Sequence, residues 1–162
     1  MHAARGADPD DLADVVALAR RLRAEVATQR GGDLWALRHA RPEPLEAAYA
    51  ALIGCRDALL VVGTHGGAIV GFGAAEITPL AGSEALGVVT DLYVAPEERG
   101  AGVGMAVLTM LTAFCYKRGC SGVDALALPG SRAAKSFFEK SGFTARLLVM
   151  HRGGAGETEV KA

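Results

Sequence analysis

Val94-Ala95-Pro96-Glu97-Glu98-Arg99-Gly100-Ala101-Gly102-Val103-Gly104 is the stretch on which the fold turns. It follows an apolar run, Ala85 to Val94, that reads as a strand. It precedes an apolar-periodic run, Gly102 to Arg118, that reads as a long helix stopped by Gly119. Glycines here let backbone N–H groups approach a ligand without Cβ interference. The first turn of a helix carries unpaired donors and a partial positive charge, which suits a pyrophosphate. Arg99 adds a formal charge at the entrance.

Three nucleotide-loop patterns compete for this stretch. A P-loop requires G-x-x-x-x-G-K-[ST], and no lysine follows the glycines. A dinucleotide loop requires G-x-G-x-x-G. Counted from Gly100 or Gly102, the third glycine is replaced by Met105 or Val107. The pattern R-x-x-G-x-G is met by Arg99, Gly102 and Gly104. A tight turn with close helix–strand packing explains one glycine, but poorly explains three alternating ones beside an arginine.

Working toward the N-terminus, Ala58 to Val62 and Ala68 to Ile77 read as two further strands. With Ala85 to Val94 they form an antiparallel meander. Asp8-Pro9-Asp10-Asp11 marks a helix start, and Leu12, Val15, Val16, Ala19 and Leu22 recur at helical spacing up to the stop at Gly31-Gly32. Asp33 to Pro44 reads as loop or broken helix, and Leu45 to Ile53 as a second helix closed by Gly54. Toward the C-terminus, Val123 to Leu128 is a strand, Arg132 to Lys140 a short helix, and Phe143 to His151 a last strand. Strand, long helix and next strand make a βαβ unit, so those two strands run parallel.

Composition bounds the rest. Hydrophobic residues are 51% and charged residues 22%, as in a globular chain. A net charge of -1 gives no reason to expect nucleic acid or an acidic membrane as partner. Cys55, Cys115 and Cys120 lack metal-ligand spacing and read as reduced, partly buried thiols of a cytoplasmic protein. No metal or serine-hydrolase signature occurs, no signal peptide opens the chain, and no apolar stretch is long enough to span a bilayer.

The glycine loop resembles that of the GNAT acetyltransferases, with [QR]-x-x-G-x-[GA] after a strand ending like Asp91-Leu92-Tyr93-Val94 and a Pro-Glu pair. A second stretch resembles that family's N-x-x-A-x-x-F-Y-x-x-x-G-F, matched by Ala134, Phe137, Gly142 and Phe143. The resemblance covers nearly all of the chain. It implies an α/β (α+β) fold: a mixed, mostly antiparallel central sheet flanked by helices, with splayed fourth and fifth strands. Residues 1–152 would form the N-acetyltransferase domain and 153–162 a flexible tail. The chain would be a monomer or homodimer that moves the acetyl group of acetyl-CoA to an amine without a metal. The alternative is an acyl-CoA-binding regulatory module that has lost turnover.

The same resemblance assigns the site. Main-chain groups of Leu92, Tyr93 and Val94 would line the pantetheine arm. The N–H groups of Gly100, Ala101, Gly102, Val103, Gly104 and Met105, with Arg99, would meet the pyrophosphate. Ser131 stands where the family has asparagine. Lys135 could approach the phosphates. Phe138 stands where relatives carry a tyrosine acid, and has no proton to give. Relatives often place a glutamate base on the fourth strand. Thr90 stands there, able at most to position a water, and strand alternation turns Asp91 to the opposite face. Asp33, Trp35, His39 and Glu76 fall where acceptors bind in the family.

Overall fold

A computed structural model of the protein describes residues 1–154. Its strands are β1 (His2–Gly6), β2 (Ala58–His65), β3 (Ala68–Pro79), β4 (Ala85–Val94) and β5 (Gly122–Ala125). They form one sheet in the order β1-β2-β3-β4-β5. All neighbours are antiparallel except β4 and β5, which run parallel as the intervening helix requires. The helices are α1 (Leu12–Ala27), α2 (Gly32–Arg38), α3 (Leu45–Ala50), α4 (Val103–Lys117) and α5 (Arg132–Lys140).

Alternation along the strands splits the core into two layers. On one face, Leu60, Val62, Phe72, Ala74 and Tyr93 pack with Val15 and Leu18 of α1 and Leu45 and Tyr49 of α3. On the other, Val61, Ala75 and Val89 pack with Val103, Val107, Leu111 and Cys115 of α4. The α4 layer is thin because of glycine. A Cβ on Gly73 would stand 2.7 Å from Val107 and 2.9 Å from Leu111, so only the missing side chain lets α4 lie so close to β3.

Several expectations need correction. The N-terminus forms β1, whose mostly exposed His-Ala-Ala-Arg-Gly offers no apolar alternation to read. It is pinned instead by Arg5, which donates to both oxygens of buried Asp11 at 2.6 and 2.8 Å. Gly32, read as part of a stop, opens a short helix, Gly32–Arg38, so of the two readings of Asp33 to Pro44, loop or broken helix, the second describes its start. β5 is shorter than expected. Phe143 to His151 is not a strand: Leu147, Leu148, Val149 and Met150 are 69–88% exposed, and Arg146 pairs with Asp124 of β5 without a backbone ladder. The proposed tail lies, from residue 155 on, outside the described residues.

Candidate functional site

The geometry of β4 sets the site. β5 pairs with β4 only from Leu86↔Gly122 to Val89↔Ala125. From Thr90 to Val94, β4 keeps β3 on one side and, among the described residues, has no strand on the other. Ala95 N–H donates to Val70 O at 2.9 Å. Since antiparallel partners alternate between bonded and non-bonded pairs, Tyr93 points its main chain toward β3, and Leu92 and Val94 point theirs into the gap. Of the three residues named from sequence for the arm, Leu92 and Val94 turn their main chain into the gap, the Val94 oxygen already accepting from Arg99 Nε at 2.9 Å, and Tyr93 turns its main chain to β3.

The gap ends at the start of α4. Pro96–Glu98 makes a 3-10 turn, and the chain then passes through Gly100 and Gly102, both at φ 89°, into Val103. Gly102 caps α4 in the left-handed region, and Ala106 N–H is bonded back to Gly102 O at 3.0 Å. The N–H groups of Val103, Gly104 and Met105 precede that first helical bond and have no partner within the helix. Phe137 of α5 closes one side. Its ring lies 3.5 Å from where a Cβ on Gly104 would stand, as does Val94. The first turn of α4, the open end of β4 and the second sequence block thus converge.

Arg99 is placed at this junction but is not free of partners. Its Nε donates to Val94 O at 2.9 Å, its terminal nitrogen donates to Glu25 of α1 at 2.8 Å, and it lies over the Tyr93 ring. Tyr93 itself is buried in the α1–α3 layer, so only its backbone belongs to the strand edge. Burial raises its phenol above the ordinary value, which does not favour it as an acid. Ser131 occupies the cap position of α5 without a side-chain cap bond. Lys135 is exposed, 3.7 Å from Glu139. Phe138 is half-buried between Phe137 and Phe143, with ring centroids 5.5 and 5.4 Å away. Cys115 is fully buried, and burial pushes its thiol up to about 11, which suits packing and not nucleophilic attack.

The opposite side of the β4 bend carries the polar groups. Ala74 pairs with Asp91 and Ala75 with Val89, so Thr90 is an extra residue, a β-bulge. The bulge overturns the expectation that Asp91 faces away from Thr90. Thr90 Oγ1 donates to Asp91 Oδ2 at 2.9 Å, and both side chains meet Arg41. Arg41 sits between α2 and α3 and was not singled out from the sequence, where an isolated arginine before Pro42 carries no pattern. Its Nε donates to Asp91 at 3.1 Å, and one terminal nitrogen donates to Thr90 Oγ1 at 2.7 Å and Glu76 Oε2 at 3.1 Å. Tyr49 donates to the other oxygen of Asp91 at 2.9 Å. Burial alone would lower Arg41, but Asp91 and Glu76 together outweigh it and raise it. Burial, reinforced by Asp91, holds Tyr49 far above the ordinary phenol value.

Glu76 and Thr90 are thus brought together, whereas the α2 residues named for the acceptor remain apart from them. Asp33 and His39 are exposed and Trp35 half-buried, with no side-chain bond to the Arg41 cluster. The turn before α2 does approach the loop after β5: a Cβ on Gly31 would lie 3.7 Å from Leu128. A separate groove of about 450 Å³ runs on the β1 side of α4, lined by His2, Ala4, Met105 and Thr109 among others. It touches the gap region only through Gly102 and Met105. Among the described residues no group of His, Cys, Asp and Glu is gathered to hold a metal, and no helix is long and apolar enough to cross a membrane.

Comparison with known proteins finds relatives of this fold. The model of the acetyltransferase (GNAT) family matches residues 29–143. An acetyltransferase from Trypanosoma brucei is 26% identical, with a TM-score of 0.66 over 94% of this chain and 99% of that one. Glucosamine-6-phosphate N-acetyltransferase from Arabidopsis thaliana is 21% identical, with a TM-score of 0.69 over 94% and 98%. A predicted acetyltransferase with acetyl-CoA from Clostridium acetobutylicum is 15% identical, with a TM-score of 0.71 over 94% and 96%. Among curated proteins, none matches the chain.

Proposed function

Because the chain belongs to the acetyltransferase (GNAT) family, we propose that it is an N-acetyltransferase that uses acetyl-CoA to acetylate a primary amine of a small molecule or peptide. The observation that carries this reading is the unpaired edge of β4, Thr90 to Val94, running into the left-handed Gly102 at the N-terminus of α4. An extended arm pairs with such an edge as an added strand, and a pyrophosphate suits the helix start. When bound, acetyl-CoA supplies the thioester that is attacked.

The chain's own groups would orient the two partners. Leu92 offers a main-chain donor and acceptor to the arm and Val94 its N–H, the Val94 oxygen being held by Arg99, and a main-chain N–H of the strand can polarise the thioester carbonyl. The attacking amine must be neutral. A lysine-like amine has a pKa of about 10.4, so the acceptor that arrives as ammonium has to give its proton to water before attack. The Thr90 hydroxyl has Asp91 at 2.9 Å and the Ala74 oxygen at 3.4 Å as acceptors and itself accepts from Arg41, so its neighbours already answer most of what a water would need. The Glu76 carboxylate, 42% exposed, is the acid of this cluster open to solvent. Phe138 offers no proton to the departing thiolate, which with a pKa of about 8.5 can leave into water.

Two measurements test the reading. Calorimetry with acetyl-CoA should show binding without added metal, and a thiol assay with a panel of primary amines should show amine-dependent release of CoA. No heat would remove acetyl-CoA from the proposal. Heat with no thiol release by any amine, protein lysine or aminoglycoside would leave an acyl-CoA-binding module in place of an enzyme.

A further inference from the structure

The Arg41 cluster has more order than a surface ion pair needs. Its arginine comes from the irregular link between α2 and α3, yet its side chain is only 12% exposed. Three residues of the sheet converge on it: Glu76 from β3, and Thr90 and Asp91 from the bulge of β4. Tyr49 of α3 fixes Asp91 from behind and lies under the guanidinium, 5.4 Å from ring centroid to Cζ. The backbone is fastened too, since Arg23 of α1 donates to Arg41 O.

The charges are graded across this arrangement. Asp91 is buried, with one oxygen bonded by Tyr49 and the other by Arg41 and Thr90. Arg41 therefore neutralises Asp91 first. Glu76 is bonded by Arg41 through Oε2 alone, and among the described residues Oε1 has no hydrogen-bond donor. One negative charge, fixed in direction and half open to solvent, is left at the bulge. Thr90 is also the first β4 residue beyond the β5 pairing, so this charge stands where the gap opens.

We propose that Glu76 Oε1 anchors the ammonium form of the acceptor, and that Arg41 is the positioning residue that aims it. The assignment rests on the acetyl-transfer reading above and narrows it to acceptors that arrive as alkylammonium ions with no carboxylate beside the nitrogen. Arg41 does not touch the acceptor. It works by holding Glu76, Thr90 and Asp91 in one orientation, which a flexible lysine cannot reproduce because its three donors radiate from a single nitrogen.

The test uses the whole chain saturated with CoA, which has no acetyl group to transfer, and n-butylammonium as probe. Side-chain carboxyl carbons are followed by NMR, with the Glu76 signal assigned by its loss in Glu76→Gln. In the wild type the probe should shift the Glu76 carboxyl in a saturable way, and an equal concentration of the zwitterion glycine should not. Arg41→Lys keeps a cation beside buried Asp91 and should stay folded. It should weaken the probe by about tenfold, the order of one charge-assisted hydrogen bond, with acetyl-CoA affinity unchanged by calorimetry. A wild-type Glu76 signal indifferent to butylammonium, or an Arg41→Lys protein that binds it as well as wild type, overturns the assignment. These outcomes are separate from failure of the acetyl-transfer reading, which would appear as no acetyl-CoA heat in the wild type. If Arg41→Lys does not fold, Glu76→Gln alone decides: butylammonium bound as tightly as by the wild type, measured by calorimetry, overturns the proposal.

Discussion

Arg99 donates through Nε to the main-chain oxygen of Val94 at 2.9 Å. The bond ties the loop's cation to the open edge of the strand that precedes it. The other end of Arg99 is held by Glu25 of α1 at 2.8 Å, so part of its charge is already answered. Glu25→Gln should release the guanidinium toward an incoming pyrophosphate and tighten acetyl-CoA. The gain should be a few-fold at most, because partly exposed ion pairs are worth about 0.2–1 kcal/mol. It should shrink as salt rises. Calorimetry at low and high ionic strength checks both points, and weaker binding in Glu25→Gln would show that the pair supports the loop instead of restraining it.

Gly104 gives the sharpest test of the loop. Unlike Gly100 and Gly102 it does not have a positive φ, and a Cβ there would meet Phe137 and Val94 at an ordinary 3.5 Å. Gly104→Ala should therefore fold with a melting temperature close to wild type. Its methyl group would still stand in the first turn of α4, where an anion must approach the N–H groups. A loss of acetyl-CoA affinity of tenfold or more is expected, equivalent to about 1.4 kcal/mol. Gly102→Ala is the contrasting variant. It should lose stability as well, because a left-handed non-glycine residue costs about 1–2 kcal/mol and its Cβ would stand 2.8 Å from the His2 ring. Wild-type affinity in a folded Gly104→Ala protein would take the loop out of the site.

The contrast between these glycines shows what the sequence could carry. R-x-x-G-x-G specifies a strand–loop–helix junction through local backbone demands, so the junction and α4 were legible. So were β2, β3 and β4, whose apolar residues pack on helices. Three things were not legible, each because a distant contact decides it. β1 is held by Arg5 and Asp11 and by pairing with β2, and its own residues are mostly exposed. Leu147 to Met150 has strand-like residues, but β5, the edge beside it, is only four residues long and no backbone ladder forms. The bulge at Thr90 adds one residue without any glycine or proline to mark it, and that single step moves Asp91 to the face of Thr90. Arg41 could only be found once that face was known.

The anchoring of β1 makes a pH-dependent prediction. The Arg5 hydrogen bond, aided by the Asp8 N–H at 2.9 Å and opposed by burial, holds Asp11 below the usual carboxylate range. A depressed folded pKa means that the contribution is fully present above the unfolded value of about 3.9 and is lost as pH falls below it. Asp11→Asn should therefore lower stability at pH 7 by about 1.5–3 kcal/mol, the scale of hydrogen bonds to a charged group. The difference from wild type should narrow as pH drops below about 4. Urea unfolding across that range measures it. A constant difference at all pH values would show that the loss comes from packing and not from the charge.

Phe138 lies between Phe137 and Phe143 on the side of the molecule where α5 approaches the start of α4. If it stands beside the leaving sulfur, Phe138→Tyr adds an acid at that place. The change adds one oxygen to a half-buried ring, so the fold should survive with little loss of stability. A well-placed general acid contributes about 10²–10⁴-fold in favourable cases. A smaller rise in kcat is expected here, because the sulfur can leave as a thiolate and nothing nearby is arranged to orient a phenol. The gain should fade at high pH, as the added phenol ionises, and KM for acetyl-CoA should change little. Phe138→Ala should instead lower the melting temperature and weaken acetyl-CoA, because it removes the middle ring of three. The decisive readout is the pH profile of kcat. If Phe138→Tyr leaves both the rate and its high-pH limb as in the wild type, then either proton delivery to sulfur does not limit turnover or the ring lies away from it. A solvent isotope effect on kcat separates the two, since a rate limited by that proton would slow in heavy water in wild type and respond to the new hydroxyl only if the ring reaches the sulfur.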